Sequence, residues 1–325
     1  MNRRRSLLAL LALSAAPLGA LAQQQGRVWR IGFLGTGSAS AYSYRIDALR
    51  SGLRDFGYVE DKNVLIEYRW AAGNYELLPQ LANELVRLPV DVLVTHAVPG
   101  ARAARQASSS IPIVLTDITD PVALGIVESL GRPGGNITGS TFFAPQVSAK
   151  RLQLLKEAMP RITRVGLLLN PTTSAAAVIF KETEAAAKSL KVKLQQFESR
   201  QPADFEETFA AIVQSRVDAL MIQDEPLFTP NRSVLANLAN RHRLPSAGYG
   251  EFAEAGGMIG YGLDFLQLYR RAAYFVDRIL NGSKPAELPM EQPTRFELVI
   301  NLKTANALKL RIPQSVLLRA DKVIE

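Results

Sequence analysis

Acids, hydroxyls and tyrosines recur just past one apolar run after another in this chain. After VWRIGFLG (28–35) come Thr36 and Ser38, then Tyr42 and Tyr44. His96 follows DVLVT (91–95), and Asp117, Thr119 and Asp120 follow PIVL (112–115). Asn170, Thr172 and Thr173 follow RVGLLL (164–169), and Asp224 and Glu225 follow DALMI (218–222). Tyr249 ends the run from Pro245, Tyr261 lies within GMIGYGL (257–263), and Asp264 comes directly after it. Carboxylates gathered in a cleft are costly unless a cation or several donors meet them, and a ligand ammonium would do so. Asp120 and Asp264 are the expected ammonium contacts. The nearby bases, Arg45 and Arg102, fall inside predicted helices. A ligand carboxylate is therefore expected on the N–H groups of helices starting after Thr119 and Thr173. Tyr42, Tyr44, Tyr249 and Tyr261 offer flat apolar walls. Together these describe a small, amino-acid-like zwitterion. Each residue also has a plainer role open to it: Asp120 before Pro121, or Thr172 and Thr173, can simply cap a helix.

Signatures of catalysis are missing. In GTGS (35–38) the dinucleotide pattern fails because position 40 is Ser, and there is no P-loop, G-x-S-x-G or H-E-x-x-H. With no cysteine and only two histidines, far apart in sequence, a metal would need acids alone, and none has calcium-loop spacing. His242, between Arg241 and Arg243, suits a helix C-terminus. No cofactor, metal or enzyme activity is therefore expected.

The elements that carry these residues alternate. Strand patterns at 28–35, 64–70, 91–95 and 112–115 are separated by helical patterns at 44–56, 77–85 and 101–108. A further apolar run at helical spacing extends over DPVALGIVESL (120–130), before the turn Arg132–Gly139. The alternation restarts with a helix at 150–158 and continues to a strand at 257–263. A long amphipathic helix (266–280) and a last strand (296–302) follow. Such βα alternation implies right-handed crossovers and parallel sheets, so the fold class is α/β with two doubly wound, Rossmann-like units in tandem. The boundaries are 28–141 for the first lobe and 142–263 for the second, with 264–292 returning to the first and 293–325 packing on the lobes. Ligands of open parallel sheets lie beyond the carboxyl ends of the strands, here in an interlobe cleft.

The N-terminus reads as an address. MNRRRS is followed by an apolar stretch and by Ala20-Leu21-Ala22, a small-residue cleavage site ahead of Gln23. Cleavage after Ala22 and residence in the periplasm are expected. Removing Arg3, Arg4 and Arg5 lowers the formal charge from +8 to +5, scattered without a basic aromatic cluster, so no nucleic-acid partner is expected.

The stretch DPVALGIVESLGRPGGNITG (120–139) resembles the D-P-V…G-L-V…S-L-x-R-P-G-G-N-x-T-G motif of the bacterial solute-binding proteins of ABC transporters, a family that includes receptors for tryptophan and other aromatic amino acids. Similar segments follow in order: VGLLLNP (165–171), RHRLPSAGYGEFAEAGGMIGYG (241–262), the run 268–308, and IPQSVLLRADKVIE (312–325). The resemblance covers essentially the whole chain after the leader. It implies a type I periplasmic-binding-protein fold with a hinge, a small-molecule ligand, and docking on a membrane permease; a monomer is expected. An extracytoplasmic subunit of a signalling receptor and an enzyme on the same fold are the alternatives.

Overall fold

The computed structural model describes residues 27–325 apart from Ser174. The expected leader and its cleavage point lie outside the described residues. No helix among those described is long and apolar enough to cross a membrane.

Two sheets organise the chain. The first contains β1 (Trp29–Gly35), β2 (Val64–Trp70), β3 (Val92–Thr95), β4 (Ile113–Leu115) and β5 (Ile137–Gly139), all parallel, in the order β2-β1-β3-β4-β5. Its crossover helices are α1 (Ala39–Asp55), α2 (Leu78–Val86) and α3 (Ala97–Ala107). The central strands are buried on both faces and so read as continuous apolar runs.

The second sheet has the order β12-β11-β10-β9-β8-β6-β7. It comprises β6 (Arg164–Leu169), β7 (Lys193–Glu198), β8 (Ala219–Ile222), β9 (Ser246–Gly248), β10 (Ile259–Leu263), β11 (Phe296–Asn301) and β12 (Lys322–Ile324). Only the β10–β11 pair is antiparallel. Helices α4 (Ala144–Ala158), α5 (Ala175–Ser189), α6 (Phe205–Gln214), α7 (Arg232–Arg241) and α8 (Gly250–Glu254) flank it. The C-terminal segment joins this sheet through β11 and β12, with α10 (Leu302–Ala307) and α11 (Gln314–Leu317) beside them.

Helix α9 (Phe265–Leu280) belongs to the first lobe. Its buried face, which includes Tyr269, Ala272, Ala273 and Val276, packs in one cluster with Ile46, Leu49 and Leu53 of α1. Gly52 permits this approach, since a Cβ there would stand 2.3 Å from the Arg270 carbonyl oxygen. The chain therefore crosses between the lobes after β5, after β10 and before β11.

One expected helix is absent. Residues 120–130 form successive turns rather than a helix. Asp120 and Gly125 take left-handed backbone angles (φ 37° and 64°), and the Ile126 amide reaches back to the Pro121 carbonyl at 2.8 Å. The apolar spacing there serves burial of Ile126 and Val127 against the first lobe. The start of α1 at Ala39 and of α4 at Ala144 also precede the apolar stripes at 44 and 150, because Ser38 caps the one and Pro145 opens the other.

Candidate ligand-binding site

The carboxyl ends of the parallel strands of the two sheets face one another across a cavity between the lobes. The first lobe contributes Tyr42 and Arg45 from α1, His96 to Pro99 at the start of α3, and Asp117 to Thr119 past β4. Gln223 to Pro226 past β8, together with Thr173, Ala175 and Ile179 around the start of α5, come from the second. Phe142 and Phe265, at two of the crossings, meet edge to face with centroids 6.4 Å apart.

One side of this cavity is apolar and aromatic. Phe142, Phe265, Ile118 and Ile179 line it, and the Tyr42 ring lies 4.7 Å from the His96 ring. His96 is fully buried, and desolvation, aided by the nearby Arg45 charge, lowers its pKa to about 3. Its neutral Nε2 accepts from the Thr36 amide at 3.1 Å.

The other side is acidic. Asp117 accepts a hydroxyl bond from Thr116 at 2.7 Å and has no ion-pair partner among the described residues. Burial raises its pKa. Asp224 receives Arg151 on Oδ2 at 2.7 Å, while its buried Oδ1 and the buried Oε1 of Gln223 have no hydrogen-bond partner among the described residues. Arg151 is itself buried and also donates to the Tyr261 carbonyl at 2.6 Å. It reaches Asp224 past Gly262, where a Cβ would stand 2.9 Å from the guanidinium. Glu225 accepts from the Tyr75 hydroxyl (2.6 Å), the Asn170 side chain (3.1 Å) and the Leu227 amide (2.6 Å). Desolvation still pushes its pKa up to about 7.

Of the residues expected at a site, Tyr42, His96, Asp117, Thr119, Thr173, Asp224 and Glu225 line this cavity. Thr36 and Asn170 lie one step behind, bonded to His96 and Glu225. Tyr44 spans the lobes to Glu251 at 3.1 Å. Ser38 and Thr172 line a separate, outer cleft. Tyr249 is buried behind Asp224 and Glu251, among the lobe-two aromatics. The two acids expected to hold an ammonium stand elsewhere. Asp264 caps α9 through the Gln267 amide, and Asp120 caps a turn through the Ala123 amide. Tyr261 stacks on Phe296, away from the cavity. Arg45, Arg151, Gln223, Phe142 and Phe265 were not among the expected site residues. The signal for both arginines was a cation on the apolar stripe of a helix: Arg45 with Tyr42, Ile46 and Leu49, and Arg151 with Leu155 and Ala158.

A cleft between two doubly wound lobes, with paired acids facing aromatics, defines a solute-binding protein. The chain belongs to the ABC transporter substrate binding protein family, whose sequence model matches residues 38–324. Members of that family are typically extracytoplasmic, and they bind small molecules rather than transform them. The chain is 24% identical over 260 residues to a tyrosine-binding protein of Clostridioides difficile, covering 80% of this chain and 74% of the relative. A conserved domain protein from Vibrio cholerae superposes with a TM-score of 0.86 at 29% identity, covering 91% of this chain and all of the other. An ABC domain from Streptococcus pneumonia in complex with L-Trp gives 0.84 at 25% identity, with the same coverage.

Proposed function

We propose that this chain is the periplasmic receptor of an ABC importer, exported with cleavage after Ala22, and that it binds an L-amino acid with a flat apolar side chain between lobes that close on it. The observation that carries the reading is the pair of unpartnered buried acceptors, Asp224 Oδ1 and Gln223 Oε1, in one cavity with the unpaired Asp117 carboxylate. Buried acceptors without donors are costly, and a primary ammonium supplies three. The ligand carboxylate would lie on the opposing N-termini of α3 and α5, with Arg45 nearby. Its side chain would lie against Phe142 and Phe265, with Tyr42 beside them. The aromatic amino acids named for the Clostridioides and Streptococcus relatives support this choice.

A thermal-shift screen of amino acids, sugars, polyamines and dicarboxylates tests it, followed by calorimetry on Asp117→Asn and Asp224→Asn. Tyrosine, tryptophan or phenylalanine should raise the melting temperature, and each variant should weaken binding by about tenfold or more. Binding of sugars or dicarboxylates alone, or unchanged affinity in both variants, would overturn the assignment.

A further inference from the structure

Beside this cavity lies a second, larger hollow between the lobes, lined by Gly37, Ser38, Asn74, Tyr75, Thr172 and Leu227 among others. Pro226 borders both spaces. Between them stands a hydrogen-bonded partition. Tyr75, from the turn of helix before α2, faces the outer hollow, and its hydroxyl donates to Glu225, which faces the inner cavity. Glu225 is pinned from behind by Asn170 and Leu227. The wall is thus made jointly by the two lobes, and among the described residues the one first-lobe group that hydrogen-bonds the Glu225 side chain is this phenol.

We propose that Tyr75, docked on Glu225, is the length filter of this receptor: it limits the ligand to a single amino acid, and without it the inner cavity and outer hollow merge into a site that also takes a dipeptide. This inference rests on the amino-acid reading above. The physical basis is simple. The partition is the wall that the inner cavity shares with the larger hollow, so a ligand extended by one residue toward that hollow must displace the phenol from Glu225. Displacing the phenol from Glu225 also strips a donor from a buried carboxyl, a penalty that an extended ligand incurs and a single amino acid does not.

The test compares wild type with Tyr75→Ala, Tyr75→Ser and Tyr75→Phe by calorimetry, using L-tryptophan, L-tyrosine and the dipeptides Trp-Gly and Gly-Trp. Wild type should take the single amino acids and not the dipeptides. Tyr75→Ala and Tyr75→Ser should shift the ratio of dipeptide to amino-acid affinity by about tenfold or more toward the dipeptide. Tyr75→Phe retains the ring and should retain most of the exclusion. The readout is a ratio, so a variant that merely loosens the fold weakens all four ligands together and leaves it unmoved. An unchanged ratio in both small variants overturns the filter while leaving the amino-acid reading intact. If wild type binds no amino acid, that reading fails instead. The filter is then judged on whichever compound raises the melting temperature against its homologue one unit longer, and an unchanged ratio there overturns it too.

Discussion

Arg45 on α1 and Glu251 on α8 pair at 2.7 Å although 206 positions separate them in the chain. They belong to different lobes. Arg45 is almost wholly buried, with its guanidinium 4.3 Å from the centre of the Phe265 ring and 5.2 Å from that of Tyr42. The Tyr44 hydroxyl adds a second bond to the same carboxylate. Glu251 is the only acid within ion-pair distance of Arg45 among the described residues, so the cation of one lobe is satisfied by the other. Arg45 lines the cavity, and its bond to Glu251 bridges the two lobes beside it.

Glu251→Gln should therefore favour the open arrangement. It leaves Arg45 a weaker, uncharged acceptor, and charge pairs across such interfaces are worth about 1.5 kcal/mol or more when close. Ligand affinity should fall by about tenfold. Small-angle scattering should show a larger radius of gyration than wild type at the same ligand concentration. Equal affinity and equal radius would mean that the pair does not hold the lobes together.

Closure should also take up a proton. With the lobes as they stand in the structure, burial pushes the Glu225 carboxyl up to about 7 from an ordinary 4.5. When the lobes part and Tyr75 withdraws, water returns to the carboxyl and its pKa falls toward that ordinary value. Between about pH 4.5 and 7 the closed form then holds a proton that the open form lacks. The penalty from Glu225 is thus present above 7 and is relieved as the pH falls through that window. Calorimetry at pH 6 in buffers of different ionisation enthalpy should report proton uptake on binding, and Glu225→Gln should remove it. Equal uptake in the variant would assign the proton to another group.

The order of strands and helices was legible in the sequence because each buried strand is a short apolar run and most helices carry a clear stripe. The strand-end rule also pointed to Tyr42, His96, Asp117, Asp224 and Glu225, which the fold brings together. Which acids face inward was not legible. Asp120 and Asp264 follow strand patterns as Asp117 and Asp224 do, yet they cap a turn and a helix. Side-chain direction at a strand end depends on the backbone of the next two residues, and apolar spacing carries no record of it. The run at 120–130 misled for a related reason: a left-handed Asp120 and Gly125 break the helix that its apolar spacing would otherwise support. The long-range pairs Arg45–Glu251 and Tyr75–Glu225 join residues of different lobes, which no local pattern can express.

His96 should make the protein acid-labile in a defined window. Its ordinary pKa of 6.5 is lowered to about 3 in the fold, so it stays neutral there while the unfolded chain becomes charged. The unfolded state then binds the extra proton as the pH falls below 6.5. Stability from this group is fully present above 6.5 and is lost by about 1.4 kcal/mol per pH unit down to about pH 3. His96→Gln can still accept from the Thr36 amide but does not titrate. Denaturant unfolding at pH 7, 6, 5 and 4 should show a shallower decline for the variant than for wild type. Parallel declines would place the acid lability in the carboxylates instead.

Arg151 should matter to stability more than any exposed arginine of the chain. It is 2% exposed, spans from α4 to β10 and the end of β8, and holds the Tyr261 carbonyl and Asp224 at once. Arg151→Met removes both bonds and leaves Asp224 buried with neither oxygen paired. Breaking one partner of a buried pair costs about 3–5 kcal/mol, whereas replacing both by apolar groups can be nearly neutral. The single variant should lower the unfolding midpoint sharply, and Arg151→Met with Asp224→Leu should recover much of the loss while abolishing amine binding. Lys150, one position earlier and outside this network, supplies the comparison: Lys150→Met should shift stability by roughly 0.5 kcal/mol or less. A double variant no more stable than Arg151→Met would show that the arginine acts through packing of its stem and its bond to Tyr261, not by neutralising Asp224.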